Sequence, residues 1–227
     1  MSSTDRTREP QYQGSVELKA KQGLTQLGLM SSETWHIDPR RLGFVLARYK
    51  FVSKMFSGLE HVLEVGCADA FGTRVVQQEV KRVTAVDFDP VFVADVRQRM
   101  GSEWKFDCQL HDMLTGPVVG DFDGAFSLDV LEHISKEDEH RFLQNIVDSL
   151  KEHGILILGA PSLESQSHAS PASKAGHVNC KSGPEFKAFV ADYFHHVFLF
   201  SMNDEVVHTG FYPMAHYLFV LACGRKT

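Results

Sequence analysis

The chain has few of the features that assign a sequence quickly to a class of proteins. It contains only four cysteines in 227 residues, and no two of them form a C-x-x-C pair. A zinc site or a disulfide framework is therefore not expected, and a reducing cytoplasm fits this cysteine usage. No apolar run reaches about 18 residues, and the polar N-terminus does not resemble a secretory signal, so we expect no membrane partner.

An excess of positive charge is also missing. The net charge is −6, which gives no overall attraction to nucleic acid, so a nucleic-acid partner is not expected. One local strip of basic residues has the spacing typical of a solvated helix face and consists of Arg40, Arg41, Arg48, Lys50 and Lys54. Nothing in the sequence indicates an oligomeric state.

The length and the pattern of polarity predict one domain with an appended segment. Residues 1–35 are polar with weak periodicity, and we expect them to form a flexible arm or lid. The remaining residues, 36–227, form the predicted domain. A helix is expected to begin at Asp38-Pro39, because an aspartate followed by proline is a favourable helix start, and to end at Gly58.

Strand-like and helix-like runs then alternate along the chain. The predicted strands are 62–65, 83–86, 105–110, 124–128 and 155–158, and the predicted helices between them are 73–80, 90–100 and 136–150. Such alternation indicates an α/β fold with a parallel sheet and helices on both faces. The last two strands, 196–200 and 216–222, are joined by a segment too short for a long helix, which predicts an antiparallel pair.

The most informative segment is HVLEVGCADAFGTRVVQQEVKRVTAVDFDP, residues 61–90. It predicts a strand, a tight turn of small residues, a helix and a second strand that ends in an acid. Small residues let the backbone approach a ligand, and Asp87, 21 residues after Gly66, can bind ribose hydroxyls. The segment is typical of an adenosine-cofactor site. Ala68 and Ala70 stand where glycines are usual, and alanine fits there comfortably only if its φ is negative.

Those alanines also bear on which cofactor binds. A pyrophosphate needs glycines at the second and third positions of the turn, where alanine would crowd it. No tyrosine is followed by lysine four residues later, and no G-K-[ST] loop is present, so neither a short-chain dehydrogenase nor a P-loop enzyme is indicated. S-adenosylmethionine has no phosphates and needs small residues, a ribose acid and polar groups, which the segment offers.

With these motifs the chain resembles the class I S-adenosylmethionine-dependent methyltransferases over about residues 40–223. The similar segments are VLEVGCADAFGT, VTAVDFDP, HDML and FDGAFSLDVLEHI, followed by a fifth strand GILILGAPS. The resemblance implies a Rossmann-like three-layer αβα sandwich with a mostly parallel seven-stranded sheet and an antiparallel C-terminal strand. It also implies methyltransferase activity.

The resemblance implies a role for each matching residue. Glu64 and Gly66 would lie by the methionine moiety, and Asp87 would accept hydrogen bonds from the ribose. The other implied cofactor contacts are Cys67 and Ala68 in the turn, Phe88 along the adenine, Asp112 with the Met113 backbone at the adenine amino group, and Leu128 at the reacting end. Two of the acids in this region have a structural alternative, because Asp112 and Asp89 could each cap a helix.

A hydroxyl acceptor needs a base or a metal ion to remove its proton. We select Asp129, His133 and His177 as catalytic candidates, and His168 is a further histidine of the same loop. The segment DVLEH can simply support the pocket wall, as it does in many relatives. Alternatively Asp129, Glu132 and His133 lie on one helical face. Their spacing, with His177, resembles the divalent-metal ligands of ubiquinone-pathway O-methyltransferases and small-RNA 2′-O-methyltransferases.

The acceptor itself is an expectation from family resemblance alone. The pattern GHVN…EVVHTGFYPMAHYLFVLA resembles relatives that modify sugars, polysaccharides and small metabolites. O-methylation of a small-molecule or sugar hydroxyl is therefore the first hypothesis. Two alternatives stay open, a metal-dependent RNA 2′-O-methyltransferase and a non-catalytic S-adenosylmethionine-binding or scaffolding protein.

Overall fold

A computed structural model describes residues 6–226 of the chain. The eight helices in this range are α1 (Gln13–Gln22), α2 (Leu29–Ile37), α3 (Arg40–Met55), α4 (Thr73–Val76), α5 (Pro90–Arg99), α6 (Glu139–Ser149), α7 (Pro171–Gly176) and α8 (Gly183–Ala191). The eight strands are β1 (His61–Val65), β2 (Arg82–Asp87), β3 (Asp107–Leu110), β4 (Phe122–Leu128), β5 (Leu150–Pro161), β6 (Phe194–Asn203), β7 (Val206–His208) and β8 (Tyr217–Arg225). Among the described residues no helix is both long and apolar enough to cross a membrane.

All eight strands form one sheet in the order β3-β2-β1-β4-β5-β8-β6-β7. The first five strands along the chain pair in parallel, whereas β8 is antiparallel to both β5 and β6. The predicted Rossmann-like α/β sandwich with an antiparallel C-terminal strand is confirmed. The sheet has one strand more than the seven predicted, because β7 is a three-residue edge strand in the connection between β6 and β8.

The strand order in the sheet switches sides between the parallel neighbours β1 and β4. This switch point determines where a site can form. The connection after β1 leads toward β2 and β3, and the chain returns to the other side of β1 as β4. In open α/β sheets a crevice opens at the carboxyl ends of two such strands. A ligand site is therefore expected at the carboxyl ends of β1 and β4.

Alternation along β1 assigns its side chains to two core layers. Leu63 and Val65 pack in the layer that contains α6 and α8, and Val62 packs in the layer that contains α3 and α4. Because successive strand residues point to opposite faces, Glu64 shares the face of Val62. A carboxylate is thereby placed inside an apolar layer.

The predicted N-terminal arm contains two helices within its described part. Helix α2 crosses the predicted domain boundary at residue 35, since it spans Leu29–Ile37. Residues 1–5 of the arm lie outside the described residues. The boundary between arm and domain therefore does not coincide with an end of a secondary-structure element.

The turn after β1 has a backbone conformation that we did not expect. Ala68 and Ala70 have φ values of 46° and 51°, beside 75° for Gly66, so the expectation of negative φ is wrong. The left-handed conformation costs a non-glycine residue about 1–2 kcal/mol. Hydrogen bonds hold the turn in it, because the Ala68 amide donates to the Asp87 carboxylate at 2.8 Å and the Ala70 amide donates to the Cys67 carbonyl at 2.7 Å.

The strain at Ala68 predicts that glycine at this position stabilises the protein, whereas glycine usually destabilises it. Ala68→Gly should raise the free energy of unfolding by roughly 0.5–1 kcal/mol, since relief of strain exceeds the added chain entropy. Ala94→Gly, at an exposed position inside α5, should instead lower it by about 1 kcal/mol. Urea unfolding of both variants checks the prediction, and a loss of stability in Ala68→Gly would contradict it.

Candidate active site

A cavity of about 610 Å³ lies at the carboxyl ends of β1, β2 and β4. It contains ten of the twelve predicted site residues, namely Gly66, Cys67, Ala68, Asp87, Phe88, Asp112, Met113, Leu128, Asp129 and His133. Glu64 and His177 are not part of its lining. A second recess of about 920 Å³ lies between residues 18–26 and helices α4 and α5, but none of the predicted site residues lines it. The smaller cavity is therefore the candidate site.

Asp87 has the position expected of a ribose-binding acid. It is buried at the end of β2, where one carboxylate oxygen accepts from the Ala68 amide at 2.8 Å and the other from the Asp89 amide at 2.9 Å. The neighbouring Phe88 is 72% exposed at the cavity rim, so its ring is available to a ligand. Asp89 caps α5 through the Val91 amide at 2.8 Å, as its structural alternative predicted.

The segment after β3 forms the part of the cavity that is expected to face the adenine. Asp112 lines it, and one of its carboxylate oxygens also accepts from the Leu114 amide at 2.8 Å. Asp112 therefore stabilises its own turn, and its second oxygen is the one left for a ligand. The buried Met113 is fixed through its carbonyl, which accepts from the Asn145 amide group at 2.6 Å.

Glu64 lies beneath the cavity and not in its wall. Its two carboxylate oxygens accept hydrogen bonds from the Tyr49 hydroxyl at 2.8 Å and the Thr73 hydroxyl at 2.5 Å. The strand alternation that turns Glu64 toward α3 and α4 explains why it is not part of the cavity lining. Burial raises the pKa of Glu64 to about 7. Its contribution is to link β1 with the two helices that support the turn.

The reacting end of the cavity contains an ion pair that the sequence did not suggest. Asp129 follows β4 with a φ of 58°, and both of its carboxylate oxygens contact Nη1 of Arg48, at 2.8 and 2.6 Å. The Arg48 guanidinium also lies 3.8 Å from the centroid of the Tyr217 ring. Arg48 was assigned to a solvated face, and this is wrong, because its side chain is only 14% exposed.

A signal for Arg48 was present in the sequence. It lies three residues after Val45 and four before Val52, on the apolar face of the helix. A basic residue at an apolar position indicates a buried partner, because an unpaired buried charge is strongly unfavourable. The partner, 81 residues away, could not be identified from local pattern.

Next to Asp129, three side chains form a cluster with metal-ligand chemistry. Ligand atoms of Glu132, His133 and His177 all lie within 4.8 Å of one another. Glu132 is 1% exposed, and its Oε2 has no hydrogen-bond partner among residues 6–226. Burial and the Asp129 carboxylate raise the pKa of Glu132. The proposed four-residue set is corrected in one respect, because Asp129 turns to Arg48 and is not among the clustered ligands.

Both histidines of the cluster are oriented by oxygen acceptors. Nδ1 of His133 bonds to the Gly176 carbonyl at 2.9 Å, and Nδ1 of His177 bonds to the Gln166 side-chain oxygen at 2.8 Å. Because these oxygens only accept, the neutral form of each ring has its proton on Nδ1 and a free lone pair on Nε2. Burial and the neighbouring His133 lower the pKa of His177, which favours the neutral ring. His168, in contrast, is exposed and outside the cluster.

Comparisons with known proteins agree with this geometry. Residues 62–154 match a family model described as a methyltransferase domain. The chain is 28% identical over 102 residues to a probable S-adenosylmethionine-dependent methyltransferase of Mycobacterium tuberculosis, seen in two strains. The match covers 44% of this chain and 35% of the relative, so the chain spans about a third of that protein's length. The family model and this relative support the class I S-adenosylmethionine-dependent methyltransferase superfamily for this chain.

Solved structures of class I methyltransferases share the fold. The N-methyltransferase NodS of Bradyrhizobium japonicum, bound to S-adenosyl-L-homocysteine, has a TM-score of 0.58 at 20% identity, covering 85% of this chain and 91% of NodS. The small RNA methyltransferase HEN1 has a TM-score of 0.65 at 13% identity, covering 79% of this chain and 25% of HEN1. At such identities the likeness establishes the fold alone.

The superfamily's methyl donor, S-adenosylmethionine, fits the residues of the cavity. A Cβ at Gly66 would overlap the Val130 side chain, so only glycine permits the close packing of the two turns that form the floor. Asp87 offers carboxylate oxygens for the ribose, and Phe88 offers an exposed ring for the adenine. These residues would hold a nucleoside with no phosphate, as the sequence predicted.

The raised pKa of Glu64 predicts a pH dependence of stability. The folded protein retains the Glu64 proton up to about pH 7, whereas the unfolded chain loses it near pH 4.5, so stability falls as pH rises between these values. Glu64→Gln has no such loss and should gain up to about 3 kcal/mol relative to wild type across this window. Urea unfolding at several pH values checks it, with Glu60→Gln as an exposed control. Parallel pH profiles for Glu64→Gln and wild type would contradict the prediction.

Proposed function

We propose that the chain transfers a methyl group from S-adenosylmethionine to a hydroxyl of a small molecule or sugar. The observation that carries the proposal is one cavity that contains the ribose acid Asp87 and, at its other end, His133 of the Glu132–His133–His177 cluster. The first residue recognises the donor, and the cluster supplies what a hydroxyl acceptor needs. The proposed compartment is a reducing cytoplasm, in keeping with the four free cysteines.

Methyl transfer is an in-line displacement, so most of the catalysis is positioning of the acceptor about 3 Å from the methyl group in a site without water. The acceptor hydroxyl must also lose a proton. His133 lines the cavity, and in its neutral form the Nε2 lone pair is free, because the Gly176 carbonyl holds the proton on Nδ1. His133 is therefore the proposed base, and His177 is fixed beside it with a ring-centroid distance of 5.2 Å.

A divalent cation is the second element of the proposal. Glu132, His133 and His177 would hold it, and carboxylate and imidazole ligands suit Mg²⁺ or Mn²⁺. The buried, unpartnered Oε2 of Glu132 supports this, as do the outer oxygens on both histidines, which metal sites commonly have. When bound, such an ion would lower the pKa of the acceptor hydroxyl.

RNA is a second candidate acceptor, favoured by that cluster and by the structural likeness to HEN1, a small RNA methyltransferase. The net charge of −6 favours the small-molecule acceptor, because phosphate backbones are bound mainly by Lys and Arg. The non-catalytic alternative predicts donor binding without turnover, or no binding. Assays with hydroxyl-bearing sugars and metabolites beside a short RNA with a free terminal 2′-hydroxyl separate these outcomes.

Donor binding is tested by calorimetry with S-adenosylmethionine. Asp87→Ala should weaken binding about tenfold to a hundredfold, because hydrogen bonds to a buried charged group are lost. Asp107→Ala, an exposed acid of β3 outside the cavity, is the control and should bind as wild type does. Absence of donor binding to the wild type would overturn the proposed function.

Metal binding is tested with Mn²⁺ on chelator-treated protein. His133→Ala and His177→Ala should each lower Mn²⁺ affinity at least tenfold, because each removes a ligand. His168→Ala, in the same loop but exposed, should not. If both cluster variants bind as much Mn²⁺ as wild type, or methyl transfer survives exhaustive chelation, the metal part of the proposal is wrong and His133 remains as the base.

A further inference from the structure

We infer that Asp69 is a positioning residue that holds helix α2 over the cofactor cavity and thereby limits how fast the cofactor exchanges. The inference rests on the proposed function, since it concerns the same cavity. Asp69 belongs to the turn after β1, between the two left-handed alanines, and it has no role in the donor contacts described above. Its Oδ1 accepts from the Phe71 amide of the same turn at 3.2 Å, and its Oδ2 bonds to a different part of the chain.

The carboxylate of Asp69 caps a helix that lies 38 residues earlier in the sequence. It is only 6% exposed, and its Oδ2 accepts from the Ser31 amide at 2.7 Å. Ser31 is the third residue of α2, whose own N-cap position is Gly28 and has no side chain to cap with. The first amides of a helix need an acceptor, and a negative charge there is favourable. Asp69 supplies both from the cofactor turn.

Helix α2 has little else to hold it against the domain. Of its nine residues Ser31 alone is buried. Its large apolar side chains are about half exposed or more, namely Leu29, Met30, Trp35 and Ile37. Segments with few buried apolar contacts open at low free energy, so one buried hydrogen bond matters more here than in the core.

The same helix forms a wall of the cofactor cavity. Met30, Ser31 and Thr34 line it together with the turn after β1 and the end of β2. A ligand seated on Asp87 is therefore covered by α2, and release of the ligand requires the helix to move. Lids of this kind often set rates of exchange. Asp69 holds helix α2 and also lies in the turn that contacts the ligand. The position of the lid and the conformation of the turn are therefore linked through this residue.

Gly28 shows how closely α2 docks. A Cβ at this position would overlap the Asp69 side chain and the Arg99 guanidinium. Arg99 in turn donates to the Asp69 carbonyl at 2.5 Å and pairs with Asp95 at 2.7 Å, so the docking surface is held rigidly. Gly28 has a negative φ, and alanine there is excluded by contact alone. Gly28→Ala therefore pushes the helix away from Asp69 and Arg99, and it substitutes no residue of the turn.

The test measures dissociation of S-adenosylmethionine by stopped flow, in a Trp104→Phe background that leaves Trp35 on α2 as the only tryptophan. We expect Gly28→Ala and Asp69→Ala each to release the cofactor about tenfold faster than the background protein. Gly14→Ala is the matched control, because it makes the same substitution in α1, where a Cβ meets nothing within 4 Å. Asp69→Asn keeps an oxygen that can cap the helix and should stay within about threefold of the background.

Hydrogen exchange of residues 28–37 gives a second readout in the ligand-free protein. Protection should be lost in Gly28→Ala and Asp69→Ala and kept in Gly14→Ala. If both test variants match Gly14→Ala in dissociation rate and protection, the role of Asp69 is overturned while the proposed function stands. If the background protein binds no S-adenosylmethionine, the proposed function fails and this inference fails with it. Because Gly28→Ala keeps the Asp69 carboxylate, it tests the docking of α2 separately from the loss of that carboxylate.

Discussion

The hydrogen bond from the Ala68 amide to the Asp87 carboxylate is the contact on which the site depends. It joins the turn after β1 to the end of β2, and it fixes the acid that we propose for binding the ribose. The Gly66 and Cys67 amides both donate to the Val86 carbonyl, at 2.8 and 3.1 Å, so the turn is held along the whole end of β2. Helix α2 depends on the conformation of this turn as well, because Asp69 of the turn accepts from the Ser31 amide.

The second turn of the site, after β4, packs directly on the first. Gly66 and Asp129 each follow the last residue of a strand, and both have positive φ, at 75° and 58°. The two strands are neighbours in the sheet, and Val130 occupies the space that a side chain at Gly66 would need. The contact between Gly66 and Val130 therefore joins the turn at the proposed donor end of the cavity to the turn at the proposed acceptor end. Arg48 stabilises the second turn by neutralising the Asp129 carboxylate.

The alternation of strands and helices, the antiparallel C-terminal pair and the position of Asp87 at a strand end were predictable because each follows from local pattern. Apolar runs predict strands, and an acid or histidine at a strand end falls on the same edge of a parallel sheet. The left-handed alanines, the pairing of Arg48 with Asp129 and the capping of α2 by Asp69 were not predictable. Each depends on a partner distant in sequence, or on hydrogen bonds that outweigh a local preference. Glu64 falls between these cases, since alternation predicts its face but not its two hydroxyl partners.

The distribution of backbone strain separates the site from the rest of the fold. Among residues 6–226, four non-glycine residues have positive φ, namely Ala68, Ala70, Asp129 and Asp204. Asp204 lies in the tight connection between β6 and β7, where aspartate tolerates this conformation. The other three lie in the two turns that form the cavity floor, and alanine has no side-chain hydrogen bond to offset its strain. Strain of this kind persists only where surrounding contacts over-determine the backbone. The turn is therefore preorganised, so the donor binds to a shape that the chain already maintains at some loss of stability.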